Sequence, residues 1–236
     1  MIKDAYRLLI VSTSKIYGSD YMEYLLPEVR EFFQDITEIT FIPYARPGGM
    51  SYDQYTALPR KAFAPLGIAV KGIHEYASPR EGVEQAQAIF TGGGNTFVLL
   101  QTLYQQQLLK PIRQRVERGV PYMGSSAGSN IAGLSIGTSN DMPIVYPPSF
   151  EALGLLPFNV NPHYLDPPAN SQHMGETRET RINEFHHFNA QPVIGLREGS
   201  WLRAEQGQLT LRGKPSARLF QQGTTPHELA PGALHF

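Results

Sequence analysis

The chain contains no cysteine, which removes disulfides, thiolate nucleophiles and every cysteine-based zinc or iron–sulfur centre at once. That absence fits a reducing cytoplasm, the expected location. An excess of charge of one sign is missing too: 20 Lys and Arg face 21 Asp and Glu, for a formal net charge of −1. Such a balance leaves no electrostatic footprint for nucleic acid or an anionic membrane, so neither is expected as a partner. No apolar run approaches the roughly 20 residues that a membrane-spanning helix needs. The opening Met1-Ile2-Lys3-Asp4-Ala5-Tyr6 lacks the charged, apolar and small-residue succession of a secretory signal. There is no H-E-x-x-H and no carboxylate cluster at ligand spacing, so no metal and no cofactor is expected.

What is present is core material. Hydrophobic residues make up 41% of the 236 positions, with 12 Tyr and 12 Phe among them, enough to bury a sizeable interior. No internal repeat, charge block or low-complexity linker divides the chain, so residues 1–236 read as a single α/β domain. In the first half, short apolar runs alternate with helix-like stretches. Leu8 to Val11, Ile39 to Pro43, Ile68 to Val70, Ala88 to Thr91 and Val120 to Met123 read as strands. Between them Met22, Leu25, Leu26, Val29, Phe32 and Phe33 trace one helical face, in which Pro27 predicts a late start or a kink. Asp53 to Phe63 predicts another helix, and Ser78-Pro79-Arg80-Glu81 a capped helix start. Strands and helices alternating at this length predict a parallel sheet with helices on both faces. The second half is less regular, with one good helix around Glu176 to Phe188. Short pieces at Val193 to Leu196, Trp201-Leu202 and Leu209 to Leu211 predict a small antiparallel C-terminal extension.

The sharpest chemical signal is Gly124-Ser125-Ser126-Ala127-Gly128, a G-x-S-x-G pattern between a strand-like run and Asn130-Ile131-Ala132. A nucleophile on a tight strand-to-helix turn needs small flanking residues, because the turn strains the backbone and crowds its neighbours. Ser126 would then stand at the carboxyl edge of the sheet, with the Ala127 N–H facing a developing oxyanion. Gly92-Gly93-Gly94 is neither a dinucleotide fingerprint nor a Walker loop, since Phe97 breaks the first and no Lys-Ser/Thr completes the second. It is a structural turn, or else it supplies the second oxyanion donor from Gly93 or Gly94. A serine nucleophile needs a base. Of seven histidines, His163 in Val160-Asn161-Pro162-His163 follows a strand-like run, where a loop at the sheet edge would carry it. Asp141 and Glu198 both qualify as the acid behind the histidine, and sequence spacing does not choose between them.

Taken together, Thr91 to Phe97, Gly124 to Asn130, Asn140 to Val145, Asn161-Pro162-His163, Gly175 to Glu179 and Ile194 to Trp201 resemble the peptidase E (α-aspartyl dipeptidase) group of the serine peptidase family that also contains cyanophycinase. The resemblance is spread from about Leu8 to Trp201, and six blocks in one order within it are far more specific than one five-residue motif. The resemblance implies a flavodoxin-like sheet related to class I glutamine amidotransferase domains, with serine in place of the amidotransferase cysteine. It implies metal-free hydrolysis of dipeptides with N-terminal aspartate in the cytoplasm. Ser126 would be the nucleophile, His163 the base, Asp141 or Glu198 the third member, and Arg178 the cation that binds the substrate's aspartyl carboxylate. That last role is also sound physically, since a guanidinium can hold a carboxylate through two parallel hydrogen bonds. The stretch Leu165 to Met174 reads as a variable lid. The expected partner is a small peptide, taken by a monomer or a homodimer. Two other readings stay open: a cyanophycinase-like or isoaspartyl peptidase acting on β-aspartyl bonds, and a non-catalytic amidotransferase-like binding module.

Overall fold

Four consecutive buried apolar residues, Leu8–Val11, form strand β1, as a strand covered on both faces requires. The structure is a computed structural model and describes residues 2–167 and 175–235. After β1 come α1 (Leu26–Phe32), β2 (Glu38–Ile42), α2 (Tyr52–Phe63), β3 (Ala69–Gly72), α3 (Pro79–Gln85) and β4 (Ile89–Thr91). Next are α4 (Thr96–Gln105), α5 (Leu109–Glu117), β5 (Tyr122–Ser125), the four-residue α6 (Ala127–Asn130), β6 (Asn159–Pro162) and α7 (Arg178–Phe185). The chain closes with β7 (Val193–Leu196), β8 (Ser200–Glu205), β9 (Gln208–Gly213), β10 (Ala217–Phe220), β11 (His227–Leu229) and β12 (Gly232–Leu234).

Five strands run parallel in the order β1-β5-β4-β2-β3, and β8, β9 and β12 continue the sheet antiparallel beyond β1. Alternation along β1 divides the interior. Leu8 and Ile10 join a cluster with Leu99, Leu100 and Ile112 of α4 and α5, whereas Leu9 and Val11 join Val29, Phe32, Tyr55 and Phe63 of α1 and α2. Helices therefore cover both faces, as the alternation of apolar runs predicted. Each such aliphatic side chain contributes about 1.5–3 kcal/mol on burial.

Pro27 produces the late start rather than a kink: a 3₁₀ turn precedes α1, and the proline occupies its first turn, where a missing N–H costs nothing. Ser78 caps α3 by accepting from the Glu81 N–H at 3.1 Å.

The C-terminal third holds more than an antiparallel extension. The extension exists as β8, β9 and β12, but β7 belongs to a second, four-stranded sheet ordered β11-β10-β7-β6. There β7 pairs parallel with β6 and antiparallel with β10. Its four residues are all buried, which suits an interior strand and not a sheet edge. Ile194, Leu196 and Leu219 of this sheet enter the same core cluster as Leu8 and Ile10. The β7–β8 turn passes the chain from one sheet to the other, and it carries Glu198.

Candidate active site

The carboxyl ends of β1, β4 and β5 lie side by side, the edge at which open α/β sheets carry their chemistry. Ser126 follows β5 directly. It has φ 54° and ψ −112°, a conformation that costs about 1–3 kcal/mol in a residue other than glycine. Its N–H donates to the Val11 carbonyl at 3.1 Å, and Ser129 Oγ bridges the Val11 and Gly124 carbonyls at 2.7 and 2.8 Å. A Cβ at Gly128 would collide with the Thr91 carbonyl of β4, so the glycine lets α6 start directly over the sheet.

His163 follows β6 and is also held at positive φ, 54°. Ser12 Oγ accepts its N–H at 3.0 Å and donates to the Leu196 carbonyl at 2.7 Å. Arg178 Nη1 donates to the His163 carbonyl, and Asn140 Nδ2 donates to the preceding Pro162 carbonyl at 2.9 Å. The ring spans the gap between the sheets, with Nε2 3.0 Å from Ser126 Oγ and Nδ1 2.6 Å from Glu198 Oε1. An ionised carboxylate can only accept, so Nδ1 carries the proton and Nε2 is left to accept from the serine hydroxyl. A hydroxyl, a base and an orienting acid in line can perform nucleophilic acyl transfer.

This geometry separates the two acids that the sequence left equal. Glu198 reaches the histidine; Asp141 does not. Asp141 Oδ2 accepts the Thr96 N–H at the start of α4 at 2.7 Å and the Ser139 hydroxyl at 3.3 Å. The Asp141 carboxylate is turned instead to a helix N-terminus, where N–H groups and the helix dipole favour an anion.

The triple-glycine loop lies against the serine. A Cβ at Gly93 would come within 2.8 Å of Ser126 Cβ, so only glycine lets that backbone approach. Tyr55, 1% exposed, donates its hydroxyl to the Gly93 carbonyl at 2.9 Å and so fixes the orientation of the Gly93–Gly94 peptide. Burial raises the Tyr55 pKa, while Arg46, its cation 5.0 Å from the ring centroid, works the other way. Ala127 opens α6, where the first N–H groups have no intrahelical acceptor.

Ser126, His163, Asp141 and Arg178 line one pocket of about 230 Å³, together with Thr96 and Asn130. Arg178 is half-buried, and desolvation lowers its pKa, while the charges of Glu198 and Asp141 act in the opposite sense. Among the described residues it has no carboxylate partner within ion-pair distance. It is a partly desolvated cation open to an anionic guest.

The model of peptidase family S51 matches residues 8–212. The chain belongs to peptidase family S51. Its membership makes it a serine peptidase. It is 48% identical over 230 residues to a probable alpha-aspartyl dipeptidase of Drosophila melanogaster, covering 96% of this chain and 95% of that one. It is 50% identical over 226 residues to a peptidase E of Streptomyces coelicolor, covering 96% and 92%. In fold it resembles a peptidase from an acI-B1 Actinobacterium, with TM-score 0.71 and 19% identity over 98% of this chain and 97% of that chain. It also resembles a putative peptidase E protein from Listeria monocytogenes, with TM-score 0.67 and 22% identity over 88% and 98%.

Several residues around the site of this S51 chain gave no signal in the sequence. Ser12 and Tyr55 are ordinary residue types outside any motif, brought to the site by contacts between distant segments, whereas Thr96 and Asn130 lie inside two of the six motif blocks but carried no role of their own there. The other histidines with described contacts have structural partners: His74 Nε2 meets Asp53 Oδ1 at 2.8 Å, and His186 Nε2 meets the Gln191 carbonyl at 3.0 Å. Most of the expected lid, residues 168–174, and His173 with it lie outside the described residues. Among the described residues no group of three His, Asp or Glu could hold a metal ion, and no helix is long and apolar enough to cross a membrane.

Proposed function

We propose that the chain is a serine-type dipeptidase that hydrolyses dipeptides with N-terminal aspartate through an acyl-enzyme on Ser126. The observation that carries this reading is the hydrogen-bonded line Ser126–His163–Glu198, whose serine and histidine share one pocket with the half-buried Arg178, a cation with no carboxylate partner among the described residues. The names of the Drosophila and Streptomyces relatives support the same substrate class.

The aspartyl side-chain carboxylate pairs with Arg178, which sets the scissile carbonyl against Ser126 Oγ. His163 Nε2 takes the hydroxyl proton as the Oγ–carbon bond forms, and Glu198 stabilises the resulting imidazolium. The N–H groups of Ala127 and of Gly93 or Gly94 hold the oxyanion; one such donor is worth about a hundredfold to a thousandfold in rate. Collapse breaks the carbon–nitrogen bond, and His163 protonates the leaving amine. Water, deprotonated by the same nitrogen, then attacks the acyl carbon, releases aspartate and restores Ser126. A core shared by both sheets supports reading the chain as one domain, and the lack of cysteine supports action in the cytoplasm.

The test is hydrolysis of Asp-Leu, Asn-Leu, Glu-Leu and β-Asp-Leu in EDTA, with Ser126→Ala as control. Turnover of Asp-Leu alone, abolished by the substitution, is the expected result. Preference for β-Asp-Leu would move the activity to β-aspartyl bonds, and no turnover of any of the four would overturn the dipeptidase reading.

A further inference from the structure

An N-terminal aspartyl residue carries two charges of opposite sign, a side-chain carboxylate and an α-ammonium. Arg178 accounts for the first. The pocket holds one more charged group that neither the Ser126–His163–Glu198 line nor Arg178's carboxylate uses, and that is Asp141. Only Oδ2 of Asp141 is engaged, by the Thr96 N–H and the Ser139 hydroxyl; Oδ1 has no partner among the described residues. Two neighbours in the same lining hold further unused polar atoms. Asn130 Oδ1 and Thr96 Oγ1 belong to residues 2% and 1% exposed, and neither atom has a hydrogen-bond partner among the described residues. A buried polar atom left without a partner costs about 1–3 kcal/mol, a cost that a donor reaching these two lining residues from the pocket would relieve. An ammonium has three N–H donors and no acceptor. One carboxylate oxygen and two neutral oxygens match it in number and in sign.

We infer that Asp141, together with Asn130 and Thr96, forms the subsite for the substrate's free α-ammonium and so restricts the enzyme to unblocked N-termini. This rests on the dipeptidase reading and deepens it. Arg178 and Asp141 then face the two opposite charges of one aspartyl residue, and no ion pair between them has to be broken when it enters. Blocking or deleting the amine removes the donors while Asp141 stays in place. The pocket would then reject the ligand by leaving a charge uncompensated.

Succinyl-leucine is Asp-Leu without its amine; it keeps the scissile amide and the carboxylate for Arg178. The experiment compares kcat/KM for Asp-Leu and succinyl-Leu in the wild type, Asp141→Asn and Asp141→Ala. Asparagine keeps an acceptor for the Thr96 N–H, so the start of α4 stays capped while the charge goes. The wild type should favour Asp-Leu, and both variants should cut that preference about 10- to 100-fold, chiefly through KM for Asp-Leu. If Asp141 acted through the histidine or only held the helix, both substrates would slow by the same factor and the preference would survive, which overturns the inference. A wild type that takes succinyl-Leu as readily as Asp-Leu also overturns it and leaves the dipeptidase reading standing. A wild type that cleaves no Asp-Leu removes both.

Discussion

On the eight-stranded sheet, Ser126 is fixed by backbone crowding: Gly93 and Gly128 sit where no side chain fits, and the serine N–H is tied to β1. On the four-stranded sheet, His163 is fixed by side chains that reach it from elsewhere in the chain, namely Ser12, Asn140 through Pro162, and Arg178. Both residues have a φ of 54°, yet they are held there by different means. Backbone packing tolerates almost no substitution at its tightest points. A side-chain hydrogen bond can be lost at the cost of one unpaired group. The serine half should therefore break abruptly and the histidine half by degrees.

Glu198 is the exception that tests this contrast, because it touches the ring of His163, the proposed base. Glu198→Gln should lower kcat about a thousandfold, since an amide can offer its N–H₂ to the ring and favour the wrong tautomer. Stopped assays on Asp-Leu check it, and a loss below tenfold would mean the third member lies elsewhere. Gly93→Ala should cost about a hundredfold in kcat and lower the melting temperature by about 2–4 °C, because the added methyl displaces the proposed oxyanion loop or the serine. Ser12→Ala should cost about tenfold in kcat, because the strained His163 N–H loses its acceptor. If Ser12→Ala proved more damaging than Gly93→Ala, the distinction between the two halves would fail.

The smallest effect is expected in the ion-pair network behind Glu198. Arg197 pairs with Asp166 and Glu228, and hydrogen bonds from Arg197 help hold the Glu228 pKa down at about 2. A lowered folded-state pKa means that this contribution is fully present above the ordinary glutamate value, near 4.5, and is lost as pH falls towards 2. Glu228→Gln should therefore lower the melting temperature slightly at pH 7 and leave it nearly unchanged at pH 2. Side-chain exposure of 46% at Glu228 keeps the effect small. Thermal melts at the two pH values measure it.

The same contrast governs what the sequence revealed. The parallel strands were legible because burial on both faces writes an unbroken apolar run such as Leu8 to Val11. Ser126 was legible because the constraints on its turn are local and leave small residues within two positions. The second sheet was not, since β10 (Ala-Arg-Leu-Phe) and β11 (His-Glu-Leu) mix polar with apolar residues, and β7 finds its parallel partner β6 only across a long stretch of chain. The choice between Asp141 and Glu198 was illegible for the same reason. It depends on how the β7–β8 turn sits against the end of β6, a relation with no local signature.

The most direct test of a relay built across the two sheets avoids substrate recognition altogether. The rate at which diisopropyl fluorophosphate labels Ser126, followed by intact mass, reports the hydroxyl, its base, the acid behind it and the oxyanion donors, without Arg178 or Asp141 having a substrate charge to bind. Labelling should be absent in Ser126→Ala, and Glu198→Gln should slow it by at least ten times more than Asp141→Asn does. If Asp141→Asn slowed labelling as much as Glu198→Gln, or more, Glu198 would not be the residue that orients His163.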